Sequence, residues 1–191
     1  MGRSTRGHLL VATPPLDDPN FDRTVVFMLE HREEGALGVI INRPDDELDD
    51  SLVTAAGGPL HRWNDRLSEP ATVFSGGPVE PSALMGLAIG VPGDEPDHAM
   101  HVIADIWSID LSADPATAAA GATGLRIFRG YAGWGSGQLD TELAAGAWMV
   151  FDADPFDIIS PSPQTLWRDV VSRQNGRVAW IATAPDDLSV N

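Results

Sequence analysis

Two amino acids are missing from this sequence of 191 residues, cysteine and lysine. Without cysteine the protein has no thiol nucleophile, no disulfide and no thiolate ligand for a metal. Without lysine it has no Schiff-base chemistry and no phosphate-loop lysine, so all 12 basic residues are arginine. These two absences exclude several large classes of enzyme before any motif is considered.

Long hydrophobic runs are missing as well. The longest apolar candidates, Val25–Leu29 and Ala36–Ile41, have the length of a strand, whereas a membrane helix needs about 20 residues. The N-terminal residues Met1–Arg6 carry charge but no stretch typical of a signal peptide. The sequence therefore predicts a cytoplasmic protein with no membrane partner, built as a single domain over residues 1–191.

Negative charge dominates the composition, with 28 acidic residues and a net charge of −16. The acids cluster within 45–50, 94–95 and 186–187, where solvated loop charge is a better explanation than a divalent cation site. His98 and His101 have the spacing of a metal pair, but on a strand that spacing points the rings to opposite faces. No metal site and no cofactor is therefore predicted.

Apolar periodicity and turn residues predict an α+β fold with hairpin connections rather than regular βαβ alternation. Strands are expected at Gly7–Thr13, Thr24–Glu30, Ala36–Asn42, Ala71–Ser75, Ala83–Ile89, Ala99–Ile103, Leu125–Phe128, Ala147–Phe151 and Arg177–Thr183. Helices are expected at Ser51–Ala56, Ser112–Ala120, Ser136–Ala145 and Gln164–Gln174. The stretch 45–70 is predicted to be a mobile acidic loop.

The most informative segment is the glycine-rich run Phe128–Asp140, which holds four glycines and the only tyrosine. Glycine at this density is typical of backbone that needs positive φ or close packing. We expect an ordered turn there, with φ > 0 at Gly133 or Gly135. Ser136 is expected to be the N-cap of the helix that follows.

Ordered motifs connect the chain to a known family. They are Gly7–Pro14 with Asp18–Val26, Glu30-His31 with Gly35–Pro44, Gly76–Val79, Gly130–Asp140, Ala147–Met149 and Trp167-Arg168. In this order they resemble the motifs of the AlgH/YqgE family, although Asp140 stands where glutamate is usual and Ile158–Ser160 replaces a more hydrophobic pattern. The resemblance implies an α+β fold on a curved, largely antiparallel sheet and a loose label of transcriptional regulator, without an established activity.

A candidate binding surface gathers the motif residues at strand ends, where loops commonly host binding sites. Its members are Asn42, Arg43, Gly76, Gly77, Pro78, Gly130, Tyr131, Trp134 and Gln138. We expect these loops to lie together and to bind a small ligand or a protein partner, with no catalytic residue among them. The alternative is that the same residues only constrain turns and packing.

Two other functions stay open. An undiscovered hydrolase or metal-assisted enzyme would use Glu30, His31 and nearby carboxylates, and would need a pocket that joins His31 to two acids. A transcriptional regulator acting through a protein partner would need an exposed apolar patch and no basic face. Direct contact with nucleic acid is not predicted.

The purified protein is therefore expected not to bind naked duplex DNA at physiological salt. Non-specific affinity comes from basic side chains that displace counterions from phosphates, and here 12 dispersed arginines oppose 28 acids. The best predicted helix, Gln164–Gln174, carries only Arg168 and Arg173 beside Asp169. Titration against labelled duplex measures this; micromolar binding that weakens steeply with salt would make direct DNA regulation the leading hypothesis.

Overall fold

Short strands joined by tight turns make up most of the computed structural model, which describes residues 4–16, 18–45, 60–90 and 99–182. The strands are β1 (His8–Ala12), β2 (Val25–Arg32), β3 (Gly35–Ile40), β4 (Val73–Ser75), β5 (Val79–Ile89), β6 (Ala99–Ile103), β7 (Ile106–Ile109), β8 (Gly124–Gly135) and β9 (Trp148–Asp152). The helices are α1 (Pro115–Ala118), α2 (Gln138–Ala144), α3 (Pro155–Ile158), α4 (Pro163–Ser172) and α5 (Arg177–Ile181), and a 3-10 helix spans His61–Arg66. The predicted α+β class is confirmed.

The strands form one sheet in the order β6-β7-β5-β8-β3-β2-β1-β9, which β4 joins by pairing with β8. The described pairs are antiparallel, apart from the parallel pair of β4 and β8. The hairpin predicted from the two apolar runs is β2–β3, with Arg32 opposite Gly35 at its tip. The curved, largely antiparallel sheet implied by the family resemblance is confirmed.

Strand β1 is buried on both faces of the sheet. In β1, Leu9 and Val11 join the core cluster on the concave face, whereas Leu10 and Ala12 join a cluster on the opposite face. The concave cluster unites side chains from β1 and β6, which lie far apart in the strand order, because the sheet curls. The amphipathic helix α4 covers this concave core, as its apolar stripe predicts.

The curl brings the β6–β7 hairpin against the chain that enters β1. Gly7 has a φ of +77°, and a Cβ placed on it would lie 2.4 Å from Cδ1 of Ile103. Only glycine leaves the room that Ile103 fills, so this contact fixes how far the sheet closes.

Most of the glycine-rich run, residues 128–135, is a strand, and only residues 136 and 137 form the turn that was expected. These strand residues are the second half of β8, which extends well beyond the predicted strand Leu125–Phe128. Residues 124–129 and Tyr131 of β8 pair with β5, and residues 132–135 pair with β3. Because ladder hydrogen bonds are available from neighbouring strands, tertiary pairing overrides the local turn signal.

The positive φ expected at Gly133 or Gly135 is found instead at Gly130 and Gly137, each with a φ of +68°. Gly130 kinks β8 between residues 127–129, which pair with β4, and residues 132–135, which pair with β3. Gly137 is the N-cap of α2, a position predicted for Ser136. The Ser136 hydroxyl instead donates to the carbonyl oxygen of Glu33 at 2.6 Å and ties α2 to the β2–β3 hairpin.

Three glycines at this kink, Gly76, Gly77 and Gly130, form what we call the glycine junction. A Cβ on Gly76 would lie 2.3 Å from the carbonyl oxygen of Gly130, and a Cβ on Gly130 would lie 2.5 Å from that of Gly77. The backbone after β4 therefore packs directly on the backbone of β8. No residue with a side chain fits this approach without a shift of the main chain.

The final strand predicted at Arg177–Thr183 is wrong, since Arg177–Ile181 forms helix α5. Val178 and Ile181 pack against the concave core, and their spacing of three residues is a helical one. The sequence predicted a strand here because a helix of five residues, little more than one turn, is too short to show the helical period. Residue 183 lies outside the described residues.

Three elements were not anticipated: β7, α3 and the 3-10 helix. Strand β7 follows β6 through a tight turn at Ala104, which has a φ of +46°. Glycine or asparagine is usual at such a φ, so the alanine gave no sign of the turn in the sequence. Helix α3 begins at Asp154, which forms a capping box with Asp157. In the 3-10 helix, Trp63 is fully buried, although it belongs to the stretch predicted to be mobile.

The helix expected at Ser51–Ala56 lies outside the described residues. The helix expected at Ser112–Ala120 is the shorter α1, capped by Asp114. No helix in the part of the chain that the structure describes has both the length and the apolar character to cross a membrane.

Replacing Gly130 with alanine is expected to destabilise the protein by more than about 1 kcal/mol, because the new Cβ meets backbone and φ is positive. Gly133→Ala in the same strand is the matched control, since its Cβ would lie 3.4 Å from the nearest atom, an ordinary contact. The control should change the free energy of unfolding by less than about 0.5 kcal/mol. Urea unfolding of both variants measures this, and equal stability would contradict the backbone contact.

Candidate functional site

Seven of the nine predicted surface residues lie at or beside the glycine junction. The backbone N–H of Ser75 donates to the carbonyl of Arg43 at 2.9 Å, and the N–H of Gly76 donates to that of Arg129 at 2.8 Å. Val79 stands opposite Tyr131 across β5 and β8. The loops after residues 42 and 76 therefore meet the kink at residue 130. As ligand-binding groups these residues stay a prediction.

The polar side chains at this meeting point hold the fold together. Asn42 accepts a hydrogen bond from the N–H of Val25 at 2.8 Å and donates to the carbonyl of Arg23 at 2.9 Å, which fixes the entry into β2. Arg43 donates to the carbonyl of Asn20 at 2.8 Å. Burial lowers the pKa of Arg43, although the charge of nearby Asp22 opposes that change. Both side chains are thus engaged by the backbone around them.

Pro78 is the exposed member of this group, and Tyr131 is half-buried. The Tyr131 hydroxyl donates to the Glu80 carboxylate at 3.3 Å. Partial burial, the charge of Glu80 and this hydrogen bond raise the pKa of Tyr131, so the phenol is a hydrogen-bond donor and not an anionic nucleophile at neutral pH.

Trp134 and Gln138 lie apart from the junction, at the far end of β8 and in the first turn of α2. Both contact Glu142: one carboxylate oxygen accepts from the Trp134 indole at 2.9 Å and from the Trp148 indole at 2.8 Å. The other accepts from the Gln138 amide at 2.9 Å. Phe21 packs against both indoles, with ring centroids 6.2 and 5.4 Å away, and the two indoles contact each other with centroids 5.9 Å apart.

Glu142 is therefore a central residue that the sequence analysis did not single out. The signal was available in its spacing of four residues from Gln138, which places the two side chains on one face of α2. The partnership with Trp148 could not be foreseen, because it needs β9 to lie beside α2.

A groove opens on the surface between the β2–β3 hairpin tip and the end of β8. It has a volume of about 460 Å³ and is lined by Glu30, Arg32, Glu34, Gly35, Ala36, Leu37 and Trp134. We call it the hairpin groove. It is where two family motifs meet, the one that starts at Glu30 and the one that contains Trp134.

The hairpin groove combines charged and apolar lining residues. Glu30, Arg32 and Glu34 supply the charges, and Leu37 supplies apolar surface. Trp134 also lines the groove, but it is only 6% exposed and its indole is turned to Glu142. The Glu30 carboxylate is paired with the Arg32 guanidinium at 2.5 Å. Of the lining residues, the sequence analysis named Trp134 as a binding residue and Glu30 as a candidate acid, but it missed Glu34 and Leu37.

The hydrolase hypothesis needed His31 in a pocket with two acids, and the described residues do not assemble one. Nδ1 of His31 accepts from the backbone N–H of Thr5 at 3.2 Å, and Nε2 lies 4.0 Å from Asp140. Glu30 points to the opposite face of β2. The Thr5 hydroxyl lies 3.1 Å from His31, yet Thr5 is only 3% exposed, so a substrate has no access to it.

Metal binding gains no support from the described part of the chain, which contains no group of three or more potential ligands. His101 stacks on Trp107 and hydrogen-bonds to the carbonyl of Ala104 at 2.8 Å. Its suggested partner, His98, lies outside the described residues.

Arg126 is a buried cation without a described carboxylate partner. It is 1% exposed, lies 4.0 Å above the Phe74 ring and donates to the carbonyls of Glu69 and Ser160. Burial lowers its pKa to about 10. The side chain thus attaches two loops to the concave face of the sheet.

Removal of the Glu142 side chain is expected to destabilise the protein by roughly 2–3 kcal/mol, because two indole N–H groups lose a charged acceptor. Glu142→Ala makes this change, whereas Glu142→Gln keeps an acceptor oxygen and should cost less than half as much. Urea unfolding followed by tryptophan fluorescence measures both. Equal losses for the two variants would show that packing, and not the carboxylate, holds α2 to the sheet.

Comparison with known proteins relates the chain to one group. A family model described as AlgH-like matches residues 9–179. A UPF0301 protein of Streptomyces avermitilis is 48% identical over 192 residues, which covers 98% of this chain and 96% of that protein. A UPF0301 protein of Streptomyces coelicolor is 46% identical with the same coverage.

Two solved structures share the fold. A crystal structure from Corynebacterium diphtheriae superposes with a TM-score of 0.84 at 27% identity, covering 96% of this chain and 94% of that one. The solution structure of the AlgH protein from Pseudomonas aeruginosa gives a TM-score of 0.67 at 26% identity, with coverage of 97% and 96%. The motif resemblance found in the sequence is confirmed, and the chain belongs to the AlgH-like family.

Proposed function

We propose that this protein is a non-catalytic binding protein whose hairpin groove accepts a cationic segment of a protein partner. The observation that carries the proposal is the composition of the groove, which Glu30 and Glu34 line together with the apolar side chain of Leu37. Its volume of about 460 Å³ falls in the range of ligand sites. Acids beside apolar surface suit a side chain that combines an aliphatic stem with a positive head.

The charge of the whole protein supports a cationic partner. A net charge of −16 attracts positive segments from a distance and repels nucleic acid and anionic surfaces. Such steering raises the rate of association more than the final affinity. Specificity must then come from the few groups that line the hairpin groove.

The groove is preorganised, which reduces the entropy lost on binding. Its hairpin wall is fixed by the Ser136 hydrogen bond to Glu33 at 2.6 Å. Gly35 packs against β8 so closely that a Cβ on it would lie 2.5 Å from the carbonyl oxygen of Trp134. Both walls therefore keep their separation without a ligand.

On this proposal any role in transcription is exerted through the protein partner and not through DNA. The acidic field and the absence of lysine disfavour phosphate contacts, whereas they favour a basic protein segment. We take the partner to be cytoplasmic, which is the compartment that the sequence predicts.

A fluorescein-labelled peptide with four arginines separated by glycines tests the proposal by fluorescence anisotropy at low salt. We expect binding to the full chain, and a loss of affinity of about threefold or more for Glu34→Gln, since a groove acid is removed. Glu33→Gln is the matched control, because it makes the same change of charge one residue away, outside the lining.

An equivalent peptide with glutamate in place of arginine should not bind. Equal affinity of Glu33→Gln and Glu34→Gln for the arginine peptide would mean that attraction is diffuse and that the hairpin groove is not the site.

A further inference from the structure

One acid of the hairpin groove already holds a guanidinium. Nη2 of Arg32 lies 2.5 Å from Oε1 of Glu30, and both side chains line the groove. The two residues are separated by one position on β2, so they project from the same face of the strand. The protein thus supplies from its own chain the chemical group that the groove is built to receive.

This ion pair differs from two other arginine–carboxylate pairs in the described part of the chain. Arg129 binds Asp45 and Arg173 binds Asp157, and those carboxylates are only 4% and 6% exposed. In the groove, Glu30 is 44% exposed and Arg32 is 68% exposed. Exposed ion pairs contribute little to stability, so Arg32 leaves Glu30 at low cost, whereas the buried pairs are fixed.

We propose that the hairpin groove recognises an arginine side chain of the partner, which exchanges with Arg32 on Glu30. This inference rests on the proposed function and names the group that is bound. Arg32 is then an intramolecular competitor, and it holds the empty groove in a form close to the bound one.

Arginine fits this exchange better than lysine. A guanidinium presents several donors in a planar fork, so one group has donors for Glu30 and for a second acid of the lining such as Glu34. Its planar face also packs on apolar surface such as that of Leu37, whereas an ammonium keeps a tight hydration shell.

The decisive variant is Arg32→Gln, which removes the competitor. With the same arginine peptide we expect its affinity to rise about two- to fivefold, the range that displacement of an exposed ion pair allows. Arg66→Gln is the matched control, because it makes the same change of net charge on the 3-10 helix, away from the groove. Its affinity should stay within about 1.5-fold of the parent.

The competition also predicts that Arg32→Gln and Glu30→Gln are coupled in their effect on peptide affinity. If Arg32 acts by occupying Glu30, Arg32→Gln gives no gain in a Glu30→Gln background. A peptide with lysine in place of arginine should bind the parent protein more weakly than the arginine peptide.

The outcomes separate the two proposals. If Glu34→Gln still weakens binding but Arg32→Gln is no tighter than Arg66→Gln, the exchange is wrong and the groove remains the site. A stronger affinity for the lysine peptide would likewise overturn arginine recognition. If no affinity depends on Glu34, the proposed function fails and the exchange fails with it.

Discussion

The close backbone contact at the glycine junction is the constraint on which the rest of this fold depends. Gly76 and Gly77 lie against Gly130 at distances that exclude any Cβ. Because of this contact one edge of β8 can pair with β4 before the kink and with β3 after it, while β5 pairs with the other edge. A single long strand thereby joins both halves of the sheet, and the sheet curls around one concave core.

The position of the hairpin groove follows from the course of β8 beyond the kink. There β8 runs beside β3, and its end faces the tip of the β2–β3 hairpin. Glu142 then draws Trp134 and Trp148 together and holds α2 on the convex face. The groove walls are therefore parts of the folded core and not a separate loop structure.

The family motifs divide into two groups by what their residues contact. Asn42, Arg43 and the glycines of the junction bind or pack against backbone, so the fold accounts for their chemistry. The segments around Glu30 and Trp134 supply the hairpin groove and leave charged groups at the surface. Belonging to the AlgH-like family establishes the fold, whereas a function has to be derived from groups such as these.

The sequence by itself determined the α+β class, the β2–β3 hairpin and the apolar stripe of α4, because each depends on local periodicity and turn residues. It also located the glycine motifs, but it assigned the positive φ to the wrong residues and took a strand for a turn. Only the tertiary structure decided those points, since β8 is a strand through the hydrogen bonds of β3 and β5. Of the groove acids, Glu34 was equally hidden, because it looks like ordinary hairpin-tip charge until the tertiary structure brings the hairpin tip and the end of β8 together in one groove. Local patterns specify elements, whereas a site depends on which distant elements become neighbours.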